Sequence, residues 1–294
     1  MYKILEKRTI AENIYLLRVH APRVASSAKP GQFVIVRSCE SGERIPLTIA
    51  DYDPQQGSVT IVIQTLGVST TKICEKNEGE MLCDFAGPLG QPSEFIYEPV
   101  EELRKKHFLF VAGGVGAAPV YPQVKWLHEN GVKADVIIGA KSESMLIFTE
   151  EMAAVAENLY LTTDDGSAGD KGLVTAKIER LVKEEGKKYD TCVAIGPMIM
   201  MKFVSLTTKA LELPTIVSLN TLMVDGTGMC GACRVTVGGK TRFACVDGPE
   251  FDGHLVDYDE AMRRMGMYRS LEQRAMAIEQ ERKEGHKCRI GLDK

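Results

Sequence analysis

The chain has 294 residues, 44% of them hydrophobic, with 36 Lys+Arg against 40 Asp+Glu and a formal net charge of −4. At about 100–200 residues per domain this length predicts at least two domains, and so ordinary a composition excludes a disordered or fibrous chain. The missing basic excess excludes non-specific nucleic-acid binding.

From Tyr2 to about Ile96 short β-rich runs alternate with turn signals. Ile14 to Val19, Phe33 to Val36 and Val59 to Ile63 are separated by Lys29-Pro30-Gly31, Pro54-Gln55-Gln56-Gly57 and Gly87-Pro88-Leu89-Gly90. Strands at this spacing predict an antiparallel barrel or sandwich over residues 1–100. After the charged stretch Glu101 to Lys106, Phe108 to Ala112 reads as a buried parallel strand running into glycines. Val136 to Ile138 and Val193 to Ile195 are further apolar strands, with helical patterns at Tyr121 to Asn130 and Ala176 to Glu185 between them. Strands alternating with helices predict a parallel α/β sheet over 101–222. Residues 223–256 are rich in glycine and cysteine and too poor in large apolar residues to build a core alone, so a metal centre is the expected organiser. The tail, 257–294, is helical in pattern, with Met262, Met265, Tyr268, Leu271, Met276 and Ile278 set among charges.

The eight cysteines are Cys39, Cys74, Cys83, Cys192, Cys230, Cys233, Cys245 and Cys288, too dilute for a disulfide scaffold. Met1 to Lys7 lacks the apolar core of a signal peptide, and no run approaches the roughly 18 apolar residues of a membrane span. A cytoplasmic protein with reduced thiols is therefore expected, in which Cys-x-x-Cys reads as metal-binding or redox-active. The segment Val224-Asp225-Gly226-Thr227-Gly228-Met229-Cys230-Gly231-Ala232-Cys233, followed by Phe243-Ala244-Cys245, is the most informative in the chain. Cys-x4-Cys-x2-Cys with a distant fourth cysteine is a plant-type [2Fe–2S] spacing, and its glycines let backbone N–H groups approach sulfur. Here aspartate occupies the first position, so the predicted ligands are Asp225, Cys230, Cys233 and Cys245. Three cysteines and a carboxylate also suit a tetrahedral zinc, although structural zinc sites favour all-Cys or Cys/His sets. Asp225 has a second reading as a cap of its own loop, with water or Thr227 at the iron.

Gly113-Gly114-Val115-Gly116-Ala117-Ala118-Pro119 leaves the Phe108 to Ala112 strand and enters a helix, the place where backbone approaches a pyrophosphate. Tight helix–strand packing is the competing explanation of these glycines. Gly196-Pro197-Met198 after the strand ending at Ile195 favours a nucleotide site, because loops at the carboxyl ends of parallel strands converge on one crevice. Asp164-Asp165-Gly166-Ser167 could line that crevice or form a solvated turn.

The order of barrel, Gly-Gly-x-Gly-x-x-Pro domain and cysteine segment resembles the ferredoxin reductase family of FAD- and NAD(P)-binding proteins. Within it the chain resembles the branch of dihydroorotate dehydrogenase electron-transfer subunits. The aspartate at the first cysteine position is similar to the small subunits of NADH-dependent reduced ferredoxin:NADP+ oxidoreductases, and a sulfide dehydrogenase subunit is of similar build. The resemblance implies a Greek-key barrel holding FAD, a ferredoxin-reductase-type parallel sheet holding NAD(H), and a small [2Fe–2S] segment.

Carried over residue by residue, FAD would meet Arg44, Pro46, Leu47 and Thr48, with the Thr48 hydroxyl near the flavin N5 edge. Ile63 and Gln64, and the turn Gly67, Val68, Ser69 and Thr70 at the pyrophosphate, complete that set. Ile45 and Leu47 depart from the family's arginine and tyrosine. The nicotinamide cofactor would meet Gly113, Gly114, Val115, Gly116 and Pro119, then Gly139 and Lys141, and Gly196, Pro197 and Met198. Few basic residues lie around Gly139 to Ser144, which favours NADH over NADPH. Ile195 stands where the family has cysteine, and Cys192 receives no role.

The resemblance further implies a larger partner subunit with its own FAD and [4Fe–4S] clusters, where NADPH and ferredoxin react by electron bifurcation. The methionine-bearing tail either docks on that partner or packs on this chain's own domains. Two other readings remain open. One is an electron-transfer subunit for a dihydroorotate dehydrogenase, sulfide dehydrogenase or hydrogenase; the other is a zinc-stabilised dinucleotide-binding regulator without catalysis.

Overall fold

The computed structural model describes residues 1–283. Its first sheet is antiparallel, built from β1 (Tyr2–Ala11), β2 (Ile14–His20), β3 (Phe33–Arg37), β4 (Ile45–Asp53), β5 (Ser58–Gln64), β6 (Met81–Leu82) and β7 (Asp84–Leu89). The order is β6-β1-β2-β5-β4-β3-β7, so β3, β4 and β5 form a meander and β2 lies beside β5 in a Greek key. Only Cys83 separates β6 at one edge from β7 at the other, and this short link draws the edges into a near-closed barrel. Alternate residues such as Leu17, Val19, Val34, Val36, Ile61 and Ile63 fill its interior, the period of two that a one-sided sheet requires.

The remaining strands are β8 (His107–Gly113), β9 (Lys133–Ala140), β10 (Asn158–Thr163), β11 (Asp170–Lys171), β12 (Thr191–Ile195), β13 (Thr215–Ser218), β14 (Arg234–Val237), β15 (Lys240–Phe243) and β16 (Glu250–Asp252). The second sheet runs β11-β10-β9-β8-β12-β13-β16, parallel except where β16 meets β13. β9 and β10 lie to one side of β8, while β12 and β13 lie to the other. The strand order therefore reverses between β8 and β12, where open α/β sheets open a ligand crevice at their carboxyl ends.

The apolar run of β8 is buried on both faces. Phe108, Phe110 and Ala112 join Val124 and Leu127 of the helix Ala117–Glu129, while Leu109 and Val111 join Met201 and Val204 of the helix Met198–Ala210. The first of these helices starts four residues earlier than its apolar pattern predicts. Pro119 falls in its first turn, where a missing N–H costs nothing. That same core takes in Ile14, Leu16, Ala50 and Val62 from the barrel, and Lys125 Nζ meets Asp51 at 2.9 Å, so barrel and α/β sheet share one interior.

The cysteine segment borrows its core, as its poverty in apolar residues demands. Cys233, Ala244, Cys245 and Met223 pack with Phe33 and Ile35 of the barrel, and β16 extends the second sheet. β14 and β15 form a hairpin turned by Gly238 and Gly239 at φ of 57° and 71°, the left-handed pair that a two-residue turn requires. In the tail, Tyr258–Met265 buries Tyr258 and Ala261 in the second core, whereas Arg269–Lys283 leaves Leu271, Met276 and Ile278 exposed. Residues 284–294, with Cys288 and the end of the expected helical tail, lie outside the described residues. Among the described residues no helix is long and apolar enough to cross a membrane.

Candidate functional site

The cysteine loop shows how the chain can hold a metal cluster. Cys233 and Cys245 are buried with their sulfurs 3.2 Å apart, in contact but well beyond a disulfide bond. Burial, with the neighbouring Cys233 sulfur, pushes the Cys245 thiol up to about 12. Two such sulfurs are held as thiolates only when a cation compensates them. Backbone N–H groups favour the thiolate form here: that of Ala232 lowers the exposed Cys230 thiol, and that of Gly228 works against the rise at Cys245. N–H donors around a spread set of cysteine sulfurs are what an iron–sulfur cluster requires, so the donor set fits one.

Asp225 sits at the mouth of this loop with its carboxylate turned inward. Its Oδ2 accepts from the Thr227 hydroxyl, from Thr227 N at 2.9 Å and from Met229 N at 3.3 Å. These bonds, the Thr227 hydroxyl foremost, hold the carboxyl below the usual carboxylate range. The loop-capping role is thus present in the structure.

Arg44 was expected at the flavin. Its Nε donates to the Val224 carbonyl at 3.0 Å and its Nη2 to the Asp225 carbonyl at 3.3 Å. The guanidinium therefore ties the barrel to the start of the cysteine loop. The next residues remain available to a planar ligand, because β4 pairs with β3 through Ile45 to Thr48 and with β5 only from Ile49 onward. Where β4 leaves β5 the barrel opens, with Pro46, Leu47 and Thr48 half-buried along the gap and Gln64 on its far side. Ile63 is a core residue of the barrel. Gly67 opens the helix Val68–Cys74, where Thr70 Oγ1 accepts from the N–H groups of Leu66 and Gly67 at 3.1 Å. The Ser69 hydroxyl donates to Glu43. A Cβ on Gly67 would meet nothing within 4 Å, so that turn presents bare backbone.

The dinucleotide crevice separates its glycines by role. A Cβ on Gly116 would stand 2.1 Å from the Ile195 carbonyl oxygen, on Gly113 2.3 Å from Met200 Sδ, and on Gly196 3.0 Å from the Gly113 Cα. These three let the β8 and β12 loops lie against each other. Gly114 differs: at φ +54° it faces open space, leaving backbone bare for a phosphate. Gly139 packs on Val174, and Pro119 and Met198 are buried. Val115 is half-buried, while Pro197 and Lys141 are exposed at the rim. The loops after β9 and β10 are stitched together, since Glu143 N donates to Ser167 Oγ at 2.7 Å and that hydroxyl donates to Asp165 at 2.6 Å.

Sequence reasoning missed the contacts that join the units. Gln91 N and Nε2 donate to the Gly248 and Val246 carbonyls at 2.7 and 2.9 Å, and Glu250 reaches Ser93 and Gln123. No local spacing marks these residues, because each partner lies more than 100 positions away.

Known proteins carry the same arrangement. Residues 220–257 match the iron–sulfur cluster binding domain of dihydroorotate dehydrogenase B, and residues 110–206 match the oxidoreductase NAD-binding domain. A dihydroorotate dehydrogenase B (NAD(+)) electron transfer subunit homolog of Thermotoga maritima is 47% identical over 92% of each chain. The electron transfer subunit of Geobacillus kaustophilus is 34% identical over 84% of this chain and 94% of its own. A solved NADH-dependent reduced ferredoxin–NADP oxidoreductase, studied for flavin-based electron bifurcation, superposes with a TM-score of 0.87 at 44% identity, covering 95% of this chain and 98% of that one. Phthalate dioxygenase reductase, at 16% identity and a TM-score of 0.55, shares the fold. The chain belongs to the family of dihydroorotate dehydrogenase B electron-transfer subunits and their homologues, and is an NAD(H)-dependent flavin and iron–sulfur oxidoreductase subunit.

Proposed function

We propose that this chain passes electrons between NADH and a larger partner subunit that carries its own FAD and [4Fe–4S] clusters, where NADPH and ferredoxin react by electron bifurcation. Bound FAD would take a hydride from NADH and release single electrons to the [2Fe–2S] cluster, a conversion that neither nicotinamide nor cluster performs alone. The residues of this chain do the positioning. Pro46, Leu47 and Thr48 line the barrel opening for the flavin, and Gly67 offers bare backbone to its pyrophosphate. Gly114 receives the nicotinamide cofactor's phosphates, while Cys230, Cys233 and Cys245, with Asp225 as the fourth donor, hold the cluster.

The single observation that carries this reading is the Arg44 bridge, which fastens the barrel wall to the cysteine loop through two hydrogen bonds. A flavin site and a cluster site so joined are built for electron transfer between them. Asp164 and Asp165 at the carboxyl end of β10 oppose an added 2′-phosphate by like charge, in favour of NADH. Around the cluster loop Met229 and Val224 are exposed, apolar side chains suited to a partner subunit. The 44% identity to the bifurcating oxidoreductase, over 95% of this chain, supports that partner over others. A dihydroorotate dehydrogenase partner is the second reading, favoured by the 34%-identical electron transfer subunit.

Anaerobic purification of the reconstituted chain, followed by titration with NADH and NADPH, tests the proposal. Flavin bleaching by NADH and a cluster EPR signal are expected. Colourless protein with bound zinc overturns the redox reading. Co-purification with a dihydroorotate-oxidising subunit overturns the choice of partner.

A further inference from the structure

Glu250 lies on β16, five residues after Cys245, where the cysteine segment, the barrel and the α/β sheet meet. One carboxyl oxygen, Oε1, accepts from the Ser93 hydroxyl at 2.9 Å and from Gln123 Nε2 at 2.9 Å. Ser93 is wholly buried and fixed to the barrel by its N–H to the Pro30 carbonyl at 2.9 Å, and Gln123 is wholly buried on the helix Ala117–Glu129. The Glu250 carboxyl therefore touches all three units at once. A Cβ on Gly31 would come within 3.0 Å of its Oε1, so the barrel loop closes over it.

One atom in this arrangement lacks a partner. Gln123 Oε1 is buried and accepts no hydrogen bond. An ionised carboxylate can only accept, whereas a protonated Glu250 would carry an O–H, the kind of donor that Gln123 Oε1 lacks. We propose that Glu250 is a positioning residue for electron transfer, which as the protonated acid clasps the cysteine segment to the barrel through Ser93 and to the α/β sheet through Gln123. The inference rests on the proposed electron path only for its consequence, since the clasp itself involves no cofactor.

The surroundings favour the neutral acid. Burial pushes the Glu250 carboxyl up to about 7, outweighing the Ser93 and Gln123 donors, which favour the carboxylate, with Glu94 adding to the rise. Its face opens on a groove of about 610 Å³ that also contains Glu98, Glu212, Asp252, Lys209 and His254. Glu98 is paired with Lys106, and among the described residues no cation pairs with Glu250. The clasp holds the proton more tightly closed than open, so linkage fixes the sign. Opening becomes easier as pH rises from the ordinary glutamate range to about 7, by up to about tenfold per pH unit, and levels off above.

Hydrogen exchange on the holoprotein between pH 5.5 and 8.5, corrected for intrinsic rates, reads this directly. The reporters are the Gln91 N–H, bonded to the Gly248 carbonyl at 2.7 Å, and the Leu219 N–H, bonded to the Pro249 carbonyl at 2.9 Å. Wild type should lose protection up to about tenfold per unit below pH 7. Glu250→Gln, an amide that both donates and accepts, should keep low-pH protection at every pH, and Glu250→Ala should lose it at every pH. NADH-driven cluster reduction should follow the same three profiles. A wild-type profile as flat as that of Glu250→Gln overturns the clasp, as does Glu250→Gln exchanging as fast as Glu250→Ala. If the protein holds no flavin or cluster, the exchange data still decide the clasp, and only the electron path fails.

Discussion

Two alanines placed two residues apart, at Gly114 and Gly116, should have opposite effects. On Gly116 the new methyl would sit 2.1 Å from the Ile195 carbonyl oxygen and 2.7 Å from its carbon, both backbone atoms of β12 that no rotamer change can move. The β8 and β12 loops must part, an overpacking that costs about 3 kcal/mol, the upper end for such insertions. For a chain of this size that lowers Tm by roughly 6–12 °C. On Gly114 the methyl meets nothing within 4 Å, and the φ of +54° adds only left-handed strain, about 1 kcal/mol and a few degrees. If the cofactor's phosphates rest on that bare backbone, Gly114→Ala should nevertheless weaken NADH by about tenfold or more, roughly 1.4 kcal/mol. Calorimetry and NADH titration of both variants separate the effects. Unchanged NADH affinity in Gly114→Ala, or an undiminished Tm in Gly116→Ala, refutes the division of these glycines into ligand-facing and packing roles.

Other expectations follow from the same structure. Asp135 is wholly buried and accepts from Lys187 at 2.8 Å, Tyr189 at 2.7 Å and Asn158 at 2.8 Å, so Asp135→Ala should cost about 3–5 kcal/mol in a urea unfolding curve. Burial works against that carboxylate, but its three donors outweigh it and hold the pKa below the usual range. Its stabilisation is therefore complete above the ordinary Asp range and disappears as pH falls through and below it, which acid titration of wild type against Asp135→Asn should display. Arg44→Ala removes both bonds to the cysteine loop and should lower stability by about 1–3 kcal/mol while accelerating cluster loss, followed by visible bleaching in the presence of a chelator. Asp225→Cys replaces an oxygen donor by a more electron-rich thiolate and should lower the cluster's reduction potential in an EPR-monitored redox titration. An unchanged or higher potential would show that Asp225 acts as a loop cap alone.

Local sequence determines much of this protein. Alternation of Ile and Val with turn residues specifies the barrel strands, since a one-sided sheet repeats every second residue. The unbroken run Phe108 to Ala112 specifies a strand buried on both faces. Asp225, Cys230, Cys233 and Cys245 announce a cluster loop because metal-ligand spacing is a short-range property. The relatives bear out the oxidoreductase with NAD-binding and iron–sulfur domains that these patterns imply.

Residue roles within the site were less legible. Spacing does not distinguish Gly114, which faces open space, from Gly116, which makes room for the Ile195 carbonyl, because the difference lies in a strand 80 residues away. Arg44 reads as a flavin contact, and two of its guanidinium nitrogens, Nε and Nη2, also bond carbonyls some 180 positions along the chain. Glu250 carries no local signal at all. Its environment is assembled from Ser93, Gln123 and Gly31, three segments brought together only when barrel and sheet share a core. Sequence alone decided which elements form and which chemistry the chain carries, since both depend on residues close in the chain. Tertiary structure decided which polar groups are buried together, because those groups come from segments far apart in the chain.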